Sequence, residues 1–169
     1  MLLQQLKMMA AYNVWANSTQ CAFLEQATDE HLARHVTSSF PSIRDTLLHI
    51  WDAESVWLER LRGRSLDSFP SMRYDGTNRA ILNALPGHSQ RLLAYAESLS
   101  ETDLMETLRY TTFNGTPFEN TRAEMLQHCF NHSTYHRGQI VVFSRQMDLG
   151  TPPSTDLIYF LRRDRNRIS

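Results

Sequence analysis

The sequence predicts an all-α protein, a four-helix bundle with a small β-hairpin excursion and a short C-terminal helix. Four long stretches repeat apolar residues at spacings of three and four, the period of a helix with one buried face. Capping and stop residues bound these stretches, and an Asn-Gly dipeptide between β-branched and aromatic residues marks a hairpin. With 169 residues, 41% of them hydrophobic and 21% charged, the chain reads as one domain over residues 1–169. A domain of that size buries roughly 70% of its unfolded surface and needs no covalent staples.

The first helix is expected from Leu2 to about Gln26, with Leu3, Leu6, Met9, Ala10, Tyr12, Ala16 and Phe23 along its apolar side. Thr28-Asp29-Glu30 reads as a turn or a fresh cap, and Ser42-Ile43-Arg44-Asp45 as a capping-box variant that opens the second helix. That helix carries Leu47, Leu48, Ile50, Trp51, Trp57, Leu58 and Leu61 and stops at Gly63, since glycine accepts the left-handed conformation. Residues 64–77 form a connection longer than an antiparallel pair needs. A third helix is expected over 78–99, broken or kinked at Pro86-Gly87, because proline lacks the amide donor and clashes with the preceding turn.

Leu108–Phe113 and Thr116–Phe118 flank Asn114-Gly115, which suits a type I′ hairpin. Thr121-Arg122-Ala123-Glu124 caps the fourth helix, which runs through Met125, Leu126, Phe130, Ile140, Val141, Phe143 and Met147 to Gly150. Beyond Pro152-Pro153, Ser154 to about Arg163 forms a short closing helix with Leu157, Ile158, Phe160 and Leu161 on one face. Arg162, Arg163, Arg165 and Arg167 read as a solvated, frayed end.

A formal charge of −1 argues against a nucleic-acid partner, which requires a basic face. The start of the chain lacks a secretory h-region, and no apolar run approaches the roughly 20 residues a membrane span needs. Cys21 and Cys129, 108 positions apart without CxxC spacing, fit a reducing compartment. These points predict a cytoplasmic protein with no membrane partner.

Seven histidines offer the chemistry: His31, His35, His49, His88, His128, His132 and His136. The last three recur every fourth residue of one helix and share a face about 80° wide. All three cannot hold one ion, because His128 and His136 are about 12 Å apart along the axis while metal–nitrogen bonds are about 2.1 Å. Either His128 with His132 or His132 with His136 forms the chelating pair. A third ligand must come from another helix, and His49, among apolar residues mid-way along the second, is the candidate. On spacing alone an HxxxH pair is more often structural than ligating. Cys129 is a minor alternative ligand, and the turn or break positions of His31, His35 and His88 suggest exposure without a role. His132-Ser133-Thr134-Tyr135-His136 lacks the glutamate of an HExxH protease, and neither a G-x-S-x-G elbow nor a phosphate loop occurs.

Asn131-His132-Ser133-Thr134-Tyr135-His136-Arg137-Gly138-Gln139-Ile140, preceded by His128, resembles the signature of the DinB/YfiT-like metalloenzymes of the DinB superfamily. Tyr12-Asn13-Val14-Trp15-Ala16-Asn17 and Ser42–Ile50, with Glu54, Trp57 and Arg60, are similar to other stretches of that family. The resemblance implies an up-down-down-up bundle, frequently a homodimer, with a divalent metal ion held by His49, His132 and His136, leaving His128 a supporting role. Imidazole suits zinc, nickel, copper and iron alike, and the expected ion is zinc, nickel, manganese or iron. It also implies a small-molecule substrate, a low-molecular-weight thiol among the candidates, and a thiol S-transferase or hydrolase reaction. Three neutral ligands leave the ion its full charge to activate a bound water or thiol. A non-enzymatic, metal-binding dimeric bundle is the alternative. Asn13, Asn17, Asp52, Glu54, Tyr135 and Arg137 are candidates to orient ligands or anchor an anionic thiol. Asp52 is better phased than Glu54 for the side of His49, and Arg137 could equally pair with a carboxylate for stability. Trp15, Trp51 and Trp57 read as core anchors.

Overall fold

A computed structural model describes residues 1–165, the side chains of 164 and 165 excepted. Of the arginine-rich end, Arg167 and the side chain of Arg165 therefore lie outside the described residues. Four long helices pack as a bundle: α1 (Leu2–Leu24), α3 (Ile43–Leu61), α4 (Ile81–Glu97) and α6 (Arg122–Gln146). Shorter helices α2 (Asp29–Ala33), α5 (Glu101–Met105) and α7 (Leu157–Arg165), a 3-10 turn at Pro70–Arg73 and an antiparallel hairpin, β1 (Thr107–Thr111) with β2 (Pro117–Thr121), fill the connections. No helix among the described residues is long and apolar enough to cross a membrane.

Local chemistry sets the helix ends. The Ser42 hydroxyl accepts from the Asp45 amide at 3.0 Å, and Thr121 and Glu124 form a reciprocal capping box. At the end of α3 the Gly63 amide donates to the Arg60 carbonyl and that of Arg64 to the Glu59 carbonyl, with Gly63 at φ +75°, which is the Schellman arrangement. The same arrangement closes α6 earlier than Gly150: Asp148 takes φ +53°, its amide donates to Arg145 and that of Leu149 to Ser144. The buried Leu149, packed with Phe143 and Met147, offsets the left-handed conformation of Asp148.

Two expectations are corrected for local reasons. Of the break or kink expected at Pro86, the break does not occur: α4 is one helix over Ile81–Glu97. Proline there costs only the bond to the Leu82 carbonyl near the helix start, and buried Leu82, Leu85 and Leu92 hold both sides of it. The hairpin turn is not type I′, because only Gly115 takes positive φ, at +82°. The Thr112 carbonyl accepts from the Gly115 amide, and Asn114 spends its side-chain oxygen on the Thr112 hydroxyl and the Thr116 amide, the local turn that asparagine favours.

The core has two apolar halves. One gathers Cys21 and Leu24 of α1, Leu47 and Ile50 of α3, Ile81 and Leu85 of α4, and Ile140 and Phe143 of α6. The other gathers Leu6 and Ala10, Leu58 and Leu61, Leu92 and Ala96, and Leu126, Cys129 and Phe130. Passing along each helix, α1 and α6 enter the second half before the first, while α3 and α4 do the reverse. The helices therefore run up, down, down, up. Both α1 and α3 pack on α4 and on α6, so consecutive long helices α1 and α3 stand across the diagonal, with residues 62–80 linking α3 to α4.

Candidate metal centre

His49 of α3 faces His132 and His136 of α6 half-way along the bundle, and ring nitrogens of the three lie within 4.8 Å of one another. The turn-to-turn spacing on α6 brings its two imidazoles together, with centroids 4.4 Å apart and planes tilted by 56°. The antiparallel run of α3 against α6 brings His49 opposite them, its Nε2 3.0 Å from that of His132. Phe40, in the loop before α3, stacks on the His49 ring at 3.9 Å and meets His136 edge-on at 5.5 Å. A bond from the Val36 amide to the Pro41 carbonyl, 2.8 Å, closes that loop and holds Phe40 in place.

Burial and mutual repulsion keep all three rings neutral at pH 7. The pKa of His49 is lowered to about 4, chiefly by burial and then by His136; that of His132 to about 3 by burial and its three histidine neighbours. His136 is also lowered by burial, partly restored by its bond to Gln139. His136 Nδ1 lies 2.7 Å from Gln139 Oε1, which fixes the proton on Nδ1 and frees Nε2. Neutral imidazoles with free lone pairs are what a divalent cation requires. Two nitrogens each about 2.1 Å from a common centre are about 3.0 Å apart at a right angle and at most about 4.2 Å apart. The closest pair fits that range already, and the buried His132 Nδ1 has no partner among the described residues.

Beside the imidazoles a buried polar layer divides the two apolar halves. Glu54, fully buried, accepts at Oε1 from Asn13 (2.6 Å), Asn17 (2.9 Å) and Ser133 (3.1 Å), and at Oε2 from Ser89 (2.7 Å). Arg137 donates to the side-chain oxygens of both asparagines, at 2.8 and 2.9 Å, so each amide relays between guanidinium and carboxylate. Burial raises the Glu54 pKa, while the donors and Arg137 oppose that rise; four donors around one carboxyl group favour its ionised form. This layer joins α1, α3, α4 and α6. Ser133 and Arg137 each directly follow one of the α6 histidines, so the layer fixes their height against His49.

The other sequence candidates disperse. His128 is exposed and packs on Trp57, with ring centroids 4.8 Å apart. Cys129, the alternative ligand, is sealed in the apolar half with its thiol pKa pushed well up by burial, and it is not part of the three-imidazole group. His88 is buried rather than exposed, because α4 passes unbroken through Pro86 and turns the ring inward, 3.4 Å from the Ser55 hydroxyl. His31 completes the cap of α2, and His35 is exposed. Asp52 does not approach His49; its carboxylate accepts from the amide and hydroxyl of Ser71 and anchors the 3-10 turn. Tyr135 is exposed with its ring edge-on to His136 at 5.0 Å. Trp15, Trp51 and Trp57 are half-buried at the rim. Phe40, Gln139, Ser89 and Ser133 were not singled out; of these only Gln139, one turn beyond His136, carried a positional signal. A cleft of about 690 Å³ between α1 and α6 includes Met9, Tyr12, His128 and Thr134 in its lining but none of the three clustered imidazoles.

The DinB family model matches residues 1–167. The chain is similar to Protein DinB of Bacillus subtilis strain 168, 26% identical over 153 residues that cover 88% of this chain and 89% of that protein. It is also similar to the uncharacterized protein YizA of the same strain, 25% identical over 158 residues covering 87% and 90%. A solved structure of a DinB-like protein from Bacillus cereus ATCC 10987 superposes with a TM-score of 0.65 at 21% identity, covering 85% of this chain and 91% of that one.

Proposed function

The chain belongs to the DinB family, and from that premise we propose that it is a divalent-metal-dependent enzyme whose ion is held by His49, His132 and His136. One observation carries the reading: three neutral imidazoles from two helices offer ring nitrogens within 4.8 Å of one another. When bound, the cation supplies Lewis acidity, which brings a coordinated water or thiol to ionise near neutral pH. Gln139 holds His136 in the tautomer that presents Nε2. Phe40 covers one face of His49 and keeps water off that side. The substrate is a small molecule, with a low-molecular-weight thiol the preferred nucleophile, and the reaction is of thiol S-transferase or hydrolase type. The working unit is a cytoplasmic homodimer.

A non-enzymatic metal-binding bundle is the second reading. It is favoured by Asp52 and Glu54, which follow His49 on α3 and are both committed to structural bonds, so that neither supplies a base at the imidazoles. Metal loading tests the shared part of both readings. Untagged protein stripped of metal and incubated with Zn²⁺, Ni²⁺ or Mn²⁺ should retain about one equivalent, and His132→Ala should retain less than about a tenth. Unmutated protein that itself retains less than that tenth, or a His132→Ala variant that binds as well as His88→Ala, overturns the assignment. Turnover of electrophile–thiol pairs by the loaded protein separates the enzyme from the binder.

A further inference from the structure

Arg60 lies eleven residues after His49 on α3, which returns it to the same helix face about 16 Å further along. The arginine side chain is the longer of the two and leans toward the helix N-terminus, so the guanidinium reaches back part of that way, to roughly 10–15 Å from the imidazoles. A chain of ring contacts joins the two places: His128 lies 5.9 Å from His132 and 4.8 Å from Trp57, between centroids. The guanidinium carbon stands 4.7 Å from the Trp57 ring and 4.6 Å from that of Tyr110.

Arg60 is only 8% exposed, yet no carboxylate lies within 4.0 Å of it among the described residues. Neighbouring Glu59 is taken by Arg62 at 3.1 Å and Arg64 at 2.6 Å. Among the described residues its single hydrogen bond is a long one, Nη2 to the Thr111 carbonyl at 3.4 Å, and Nε and Nη1 have no partner. Unlike Nε of Arg44, Arg122 and Arg137, these two are not sealed from solvent. A buried cation without a counter-charge is costly, and the two rings that face it compensate only in part. Because Trp57 and Tyr110 occupy its aromatic contacts, the open donors lie along its edge; both in-plane forks of a guanidinium share Nη2, and with one Nη2 hydrogen on Thr111 the other completes one fork, with Nε or with Nη1, that matches an oxyanion.

We propose that Arg60 is an oxyanion subsite: its open edge receives the carboxylate or phosphate of a small substrate whose reacting end sits at His49, His132 and His136. The position of the reacting end rests on the metal reading; the capture of the anion does not. The substrate class is then a small acid with roughly 10–15 Å between its anionic group and its reacting atom.

The test is a titration of arginine-labelled protein, metal-free and zinc-loaded, with glutarate in one arm and inorganic phosphate in the other, at constant ionic strength set with chloride. The Arg60 Nε–Hε signal should shift saturably with at least one of the two, and the stronger arm identifies the headgroup. Arg60→Met, which keeps the apolar stem, should weaken binding about tenfold or more, the loss of one charge-assisted bidentate contact, with Arg60→Lys between. A shift no larger than that with chloride, or Arg60→Met binding within about twofold of the unmutated chain, overturns the subsite. Should Arg60→Met fail to fold, the signal in the unmutated chain decides alone. Glutarate saturation without zinc binding removes the metal reading and leaves the subsite standing; zinc binding without any saturable anion response removes the subsite alone.

Discussion

Replacing Glu54 by Gln keeps the shape of the side chain and deletes its charge. The new amide can place its oxygen where Oε1 now meets Asn13, Asn17 and Ser133, and turn its nitrogen to the Ser89 hydroxyl, which is able to accept. The hydrogen bonds therefore survive. What is lost is the counter-charge of Arg137, a guanidinium 2% exposed that reaches Glu54 only through the two asparagines. Stranding one member of a buried pair costs about 3–5 kcal/mol, and the relayed geometry places this case at about 3. With a urea dependence of about 2 kcal/mol per molar, the unfolding midpoint should fall by about 1.5 M. In an Arg137→Met background the same substitution should cost about 1 kcal/mol or less, so the double-mutant cycle shows a coupling of about 2 kcal/mol. A midpoint shift below about 0.5 M, or an equal cost in both backgrounds, would refute the relayed ion pair.

Three further outcomes are expected. Burial lowers the His88 pKa from 6.5 to about 4, so the unfolded chain takes up this proton first as the pH falls; the stability is intact above pH 6.5, declines between 6.5 and 4, and loses about 3 kcal/mol in total. Denaturant melts of metal-free His88→Gln across that window should decline by about that much less than the unmutated chain, and parallel curves would contradict the buried neutral ring. Removing Phe40 as Phe40→Ala should release zinc to a chelator about three- to tenfold faster, from the loss of roughly 1 kcal/mol of stacking on His49; an unchanged rate means the ring does not shield the site. Thr121→Ala removes the cap of the helix that bears both α6 histidines and should cost about 1 kcal/mol in thermal or urea unfolding, where no change would deny the cap.

What the sequence made legible was mostly local. Ser42, Thr121 and Gly63 announce helix ends because a cap or a left-handed residue acts on amides within four positions of itself. Spacing, for the same reason, made His132 one of a chelating pair with either His128 or His136, the family resemblance selected His136, and the mid-helix place of His49 made it the partner to test. The misjudged residues depend on what other segments bring. Helix phase favoured Asp52 over Glu54 near His49, yet phase says which way a side chain points and not who meets it: Ser71 arrives from the long connection at one, three other helices at the other. His88 was misplaced because Pro86 was weighed without the leucines that hold α4 on both sides of it. Phe40 sits in an irregular loop, where no periodicity foretells which ring it will cover.

The belt of Glu54, Arg137 and their partners has a consequence for how such a bundle can vary. Hydrophobic halves alone would tolerate one helix sliding a turn along another, since leucine against leucine fits at many heights. A carboxylate that needs four particular donors fits at one. Each helix is pinned at its waist, so turns added or trimmed at either tip would leave the spacing of the three imidazoles untouched.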